Sequence, residues 1–208
     1  MHAFFARFNR LLATPLDLGP RLMLFAAAAL LVVIYVAPLW NMTMFAPQYP
    51  EGLRLDVYSY KLVGGNNGQD IPEINILNHY IGMRDLAADD FTEFKWLPFT
   101  VGILGLLYLR AAVMGTVGGL LDTLVLNLYF SMFALWSFGY RMYSYGHNLS
   151  PTAAVKVAPF MPPMFGGKQL ANFEVYSYPQ AAAYAMALSS LLLAAAVVLA
   201  WRQARQVP

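Results

Sequence analysis

The sequence has no cysteine at all. That excludes disulfides, thiolate metal sites, iron–sulfur clusters and the Cys-x-x-Cys-His attachment of haem c, and leaves His, Met, carboxylate and backbone groups as metal ligands. Charge is also scarce: Asp, Glu, Lys and Arg make up 12% of the 208 residues, with a net charge of +2. A soluble domain carries roughly 25% charged residues to solvate its surface, so water is not the main solvent of this chain. The small net charge and the placement of Arg at helix ends exclude a groove-sized nucleic-acid patch. No Gly-x-Ser-x-Gly elbow surrounds Ser144, Ser150 or Ser177, no third acid is marked, and no phosphate loop is present, so the sequence does not read as an enzyme.

What is abundant is apolar sequence, 59% of the chain. Four stretches approach the ~20 residues that span a bilayer as helix. They predict an all-α membrane protein with four transmembrane helices, at 21–40, 96–114, 117–138 and 180–201. The first is bounded by Arg21 and by Pro38 and Trp40, and its apolar core is longer than the ~7–15 residues of a signal peptide, which favours a retained anchor. A short Gly-containing turn at Gly115 joins the second and third spans as a hairpin.

This leaves a basic N-terminal segment (1–20), a tail (202–208) and two long loops (41–95 and 139–179). Within the first loop LRLDVYSYKLV alternates apolar and polar residues, the period of a half-buried strand, and GGNNGQD marks a turn, so short β-strands are expected there. The sequence from Ile71 to Phe94 is less regular, with a short helix or a returning loop near LAADDFTEF. The second loop is rich in Tyr, Pro and Gly. Arg7, Arg10, Arg21, Arg110, Arg202 and Arg205 fall on one side of a four-span chain, close to the spans, which makes that side the cytoplasm. The chain then reads as a multi-pass protein of the bacterial inner membrane with both termini cytoplasmic and both long loops periplasmic.

Two ionisable residues flank the hairpin, Arg110 and Asp122. A charge within the bilayer is costly without a partner, so a structural ion pair across the turn is expected. A single acid is too short a relay for transport. On the loops stand soft and borderline ligands: Met42 and Met44, His79 and Met83 in NHYIGM, His147 in YGHN, and Met161 and Met164 in FMPPMF. Thioether and imidazole suit Cu(I) better than zinc in a cysteine-free set. Met42 and Met44 would share one side of an extended segment, and one helical turn would put His79 and Met83 on one face. Against this, Met commonly fills gaps in apolar cores, and a lone His is commonly a hydrogen-bonding residue. Tyr80, Tyr143, Tyr145 and Asn148 are the residues expected to face a protein partner, since aromatic loops serve protein contacts as well as the headgroup layer.

APQYPEGL from Ala46, INILNHYIGM from Ile74, and YSYGHNLSPTAAVKV from Tyr143 followed by GGKQLANFEVYSYP together resemble a family of small bacterial four-span membrane proteins encoded beside genes that mature and supply copper to nitrous oxide reductase. The matching residues are Asn78, His79, Tyr80, Gly82, Met83, Gly146, His147 and Asn148. The resemblance implies an accessory role in copper handling, with copper as the bound metal and a copper chaperone or membrane enzyme as partner. It assigns no catalytic residue. The competing expectation is a metal-free structural or assembly subunit of a membrane complex. The two separate on one point: the copper reading expects the His79 and His147 side chains within roughly 4–5 Å of each other, since metal–nitrogen bonds are ~2 Å, whereas each buried in its own hydrogen bonds favours the metal-free subunit.

Overall fold

The structure, a computed structural model, describes residues 2–204, without the side chains of 2–4 and 7; Arg205 and the end of the expected tail lie outside the described residues, as does the Arg7 side chain. Four helices are long and apolar enough to cross a membrane: Leu18–Tyr35, Glu93–Met114, Val117–His147 and Ala181–Ala204. The chain divides into two compact units, the first formed by Met1–Val33, Phe99–Met132 and Tyr184–Pro208, the second by Ile34–Pro98 and Phe133–Ala183.

The first unit is helical. Helix α1 (His2–Leu12) precedes α2 (Leu18–Leu31), which packs with parts of α4 (Glu93–Met114), α5 (Val117–His147) and α6 (Ala181–Ala204). Its seam is built from Leu24, Ala27, Leu104, Tyr108, Ala111, Leu120, Leu193 and Ala196, all buried, while Leu106, Val113, Tyr129, Met132 and Leu191 face outward. Apolar side chains turned outward around a packed seam are what lipid contact selects. Polar groups inside the seam are paired. The Tyr108 hydroxyl donates to Asn127 Oδ1 at 2.6 Å, Asn127 Nδ2 donates to Ser190 Oγ at 2.9 Å, and Ser189 donates to the Ala27 carbonyl at 2.9 Å.

The α4–α5 turn is sealed by the 14–16 segment: Leu16 N–H donates to the Gly115 carbonyl and Val117 N–H to the Thr14 carbonyl. Gly115 has φ +63°, and the space a Cβ would need there is occupied by the Arg21 guanidinium. Arg21 donates to the carbonyls of Leu16 (3.0 Å) and Val113 (3.4 Å), a cation seated at the negative end of α4. The expected Arg110–Asp122 pair does not form. The ion pairs among the described residues are Arg54–Asp56 and Glu93–Arg141, and both Arg110 and Asp122 are exposed. The helical phase explains it: Arg110 is 100° from the buried Ala111 and Asp122 is 100° from the buried Thr123, so each points away from the seam.

The second unit holds a finding that the all-α expectation lacked. Both long loops contribute to one antiparallel sheet, ordered β3-β2-β1-β5-β4. The strands are β1 (Trp40–Ala46), β2 (Tyr49–Val57), β3 (Leu62–Gly64), β4 (Gly166–Leu170) and β5 (Phe173–Pro179). The first-loop strands were expected; β4 and β5 were not. Strand β1 is central, with Met42 opposite Leu55 on one side and Ser177 on the other, and Met44 opposite Leu53 and Val175. The irregular Ile71–Phe94 stretch contains helix α3 (Asp70–Tyr80), whose Ile74 and Leu77, followed by Ile81 just past its end, pack on the inner sheet face. Asp70 and Glu73 sit in its first turn, where a carboxylate favours the helix, and Asp70 Oδ2 also accepts the Arg54 N–H at 2.8 Å. Helix α5 runs on to His147, nine residues past the expected boundary at 138, and delivers Phe138 and Met142 to the same core.

A methionine-lined cavity and the junction beside it

Alternation along β1 turns Met42 and Met44 inward, 7% exposed each, and leaves Asn41 and Thr43 outward in a polar network with Asp56. The shared side expected for the two methionines is therefore found, and it is the buried side.

His79 and Met83 do not share a helical face. Helix α3 ends in a Schellman motif: Gly82 N–H donates to the His79 carbonyl, Met83 N–H donates to the Asn78 carbonyl at 2.8 Å, and Gly82 takes φ +82°. The left-handed residue reverses the chain, so that His79 stays exposed on the last helical turn while Met83 folds back toward the core.

Met42, Met44 and Met83 meet a fourth methionine, Met142, around one cavity of about 40 Å³. Asn78 (2% exposed) and Tyr145 (2% exposed) are the polar side chains on its wall; Leu55, Leu86, Leu170, Phe173, Val175, Pro162 and Pro163 supply the rest. The sequence does not single out Met142, because hydropathy ends the third span at Phe138. The signal was there, in the helical period that continues through FGYRMYSYGH. Neither His79 nor His147 lines the cavity.

In sequence the two histidines flank the elements that meet in a junction, the end of α3 and the segment after α5. Ser150 N–H donates to the Gly82 carbonyl at 2.7 Å and Val155 N–H to the Tyr80 carbonyl at 3.0 Å. Arg84 donates to Ser144 Oγ at 2.7 Å and lies over the Tyr145 ring. Tyr145, expected to face a partner, instead donates to the Asp85 carbonyl and is buried, because its ring stacks on Phe91. Tyr80, Tyr143 and Asn148 remain exposed. His147 stacks on Tyr143 with centroids 3.7 Å apart, and its Nδ1 lies 3.0 Å from the Tyr143 carbonyl. A carbonyl only accepts, so Nδ1 carries the proton and a neutral His147 has its lone pair on Nε2.

Among the described residues no three His, Asp or Glu side chains group as a metal-ligand set. The sulfur-rich wall of the cavity is the concentration of soft donors. Fold and site together define a multi-pass membrane protein carrying an α/β module with a methionine-lined core. The chain matches no family profile, no curated protein and no solved structure.

Proposed function

We propose that the chain is a membrane accessory protein that binds Cu(I) in its α/β module and supplies it to a copper chaperone or copper enzyme. The observation that carries this reading is the set of four thioethers, Met42, Met44, Met83 and Met142, around one small cavity. Neutral sulfur donors suit a soft monovalent cation and offer little to zinc, magnesium or calcium. Asn78 adds a side-chain amide to the same wall. With so few polar groups on the wall, ordered water would find few of the two to four partners it needs. His79 and the Nε2 of His147 add imidazole donors on the junction outside the cavity.

The family resemblance supports the same reading and adds a context, copper supply to nitrous oxide reductase. Two of its matching residues, Asn78 and Met83, line the cavity, while Gly82 and Gly146 shape the segments around it. Arg10, Arg21, Arg110 and Arg202 support an orientation in the bacterial inner membrane with cytoplasmic termini and periplasmic loops.

The test is anaerobic Cu(I) competition against a chromophoric chelator, using the detergent-purified full chain. Three proteins are compared: wild type, Met42→Leu/Met44→Leu/Met83→Leu, and His79→Ala/His147→Ala. Stoichiometric binding that only the methionine variant loses is the expected result. Loss confined to the histidine variant moves the metal to the junction.

A second reading, a metal-free structural or assembly subunit, is favoured by the junction itself, where backbone hydrogen bonds fix the end of α3 against the segment after α5 and the Arg84 side chain bonds Ser144 on α5. It predicts no Cu(I) binding by wild type, and a partner contact that Tyr80→Ala/Tyr143→Ala weakens.

A further inference from the structure

The cavity wall is not equally secured on all sides. Strands β1, β2, β4 and β5 and helices α3 and α5 hold most of it with regular backbone hydrogen bonds, whereas two irregular segments complete it, one carrying Met83 and Leu86 after α3 and the other being residues 160–165, FMPPMF. Residues 148–165 contain neither helix nor strand. A structureless run longer than ~12–15 residues inside a compact unit is uncommon and is usually either a functional loop or a linker. Pro162 and Pro163 are buried against the cavity and have no N–H to donate. The segment is tethered by Phe160 N–H to the Gly146 carbonyl (3.0 Å), by Lys168 Nζ to the Met161 carbonyl (2.9 Å) and by Ser177 Oγ to the Met164 carbonyl (3.4 Å). Gly166, at φ +85° with nothing near its Cβ position, follows as the first residue of β4, in register with Ser177.

The two prolines are flanked by Met161 and Met164, both packed against the core yet only half-buried, while Met42, Met44 and Met142 are buried. The Met164 sulfur rests near Gly139 on α5, 3.6 Å from where a Cβ would stand. Thioethers thus occupy two tiers, one lining the cavity and one on the segment that closes it.

We propose that residues 160–165 form a lid, and that Met161 and Met164 are relay ligands through which Cu(I) passes between the cavity and an acceptor outside. This rests on the reading that the cavity holds Cu(I). In each exchange one copper–thioether bond forms as another breaks; the metal stays Cu(I), and no electron or proton is transferred. A stepwise exchange spares the ion a fully unligated state in an apolar wall, where an isolated charge is costly.

The experiment is stopped-flow transfer of Cu(I) from the full-length, copper-loaded protein in detergent to excess chromophoric chelator, with equilibrium affinity measured on the same samples. Met161→Leu/Met164→Leu preserves volume and apolarity. It is expected to hold Cu(I) as tightly as wild type but to release it about tenfold more slowly, the effect of ~1.4 kcal/mol of added barrier. Lys168→Ala, at an exposed position, removes a tether and is expected to speed release. Wild-type release rates in both variants overturn the relay while leaving the cavity site standing. Loss of affinity in the Met161/Met164 variant also overturns it, by making these residues primary ligands. A wild type that binds no Cu(I) overturns the relay together with the function it rests on.

Discussion

Gly82 decides where two neighbouring donors point. With φ +82°, and a Cβ position 2.9 Å from Ala153 Cβ and 3.0 Å from the Ser150 carbonyl oxygen, it has no room for a side chain. Gly82→Ala is expected to cost about 1–2 kcal/mol from the left-handed conformation alone, with crowding added, and to lower the unfolding midpoint in detergent; an unchanged midpoint would contradict the Schellman closure. A second residue-scale prediction concerns Tyr49. Its hydrogen bond to Glu73, with smaller contributions from burial and from the Glu73 charge, raises the phenol above its ordinary value near 10. A raised folded-state pKa contributes stability that is complete below the unfolded value and is lost as pH rises through the folded one. Wild type should therefore lose stability relative to Tyr49→Phe above about pH 10; parallel pH profiles would show that the bond contributes nothing. At this scale the sequence was informative where local period decides orientation, as for Met42 and Met44. It was misleading where one positive φ reverses the chain, as between His79 and Met83.

At the scale of elements, apolar length was the legible quantity. The four expected spans reappear as helices with ends shifted by a few residues, and α5 by nine, since a helix does not stop where hydropathy falls. Helix α3 was legible in retrospect from Ile74, Leu77 and Ile81 at spacings of three and four, a short pattern hidden by Pro72 in its first turn, where proline is tolerated. Between spans, the Tyr108–Asn127–Ser190 chain joins three helices by hydrogen bonds inside the apolar seam. Asn127→Ala leaves the Tyr108 hydroxyl without its acceptor and Ser190 without a donor. The expected loss is about 0.6 kcal/mol per bond, the measured average for such bonds in membranes, and at most about 1.7, read by equilibrium unfolding in a denaturing detergent. An unaltered curve would assign the helix association to packing alone.

At the scale of the whole molecule, β4 and β5 could not be read because strand pairing is non-local: the partner of Trp40 is Pro179. GGKQL and FEVYSYP became legible as strands only once β1 supplied an unpaired edge. The cysteine-free background permits a direct test, since Thr43 and Tyr176 are register partners on the outward face. Thr43→Cys/Tyr176→Cys should oxidise to an intramolecular disulfide, seen as a mobility shift reversed by reductant, because paired strand positions fall within the Cα separation a disulfide accepts. Failure to oxidise would separate the two loops into independent structures.

The central position of β1 also sets a schedule. During synthesis its first edge finds β2 within a few residues, but its second waits until residue 179 has been made and two further helices have been inserted. Throughout that interval a strand with two inward methionines presents an open edge, the feature by which nascent sheets pair wrongly with other chains. Completion of the sheet therefore waits for the C-terminal third of the chain. A ribosome stalled before β5 would leave an anchored, half-built sheet, which marks the late strands as the point where assembly and quality control meet.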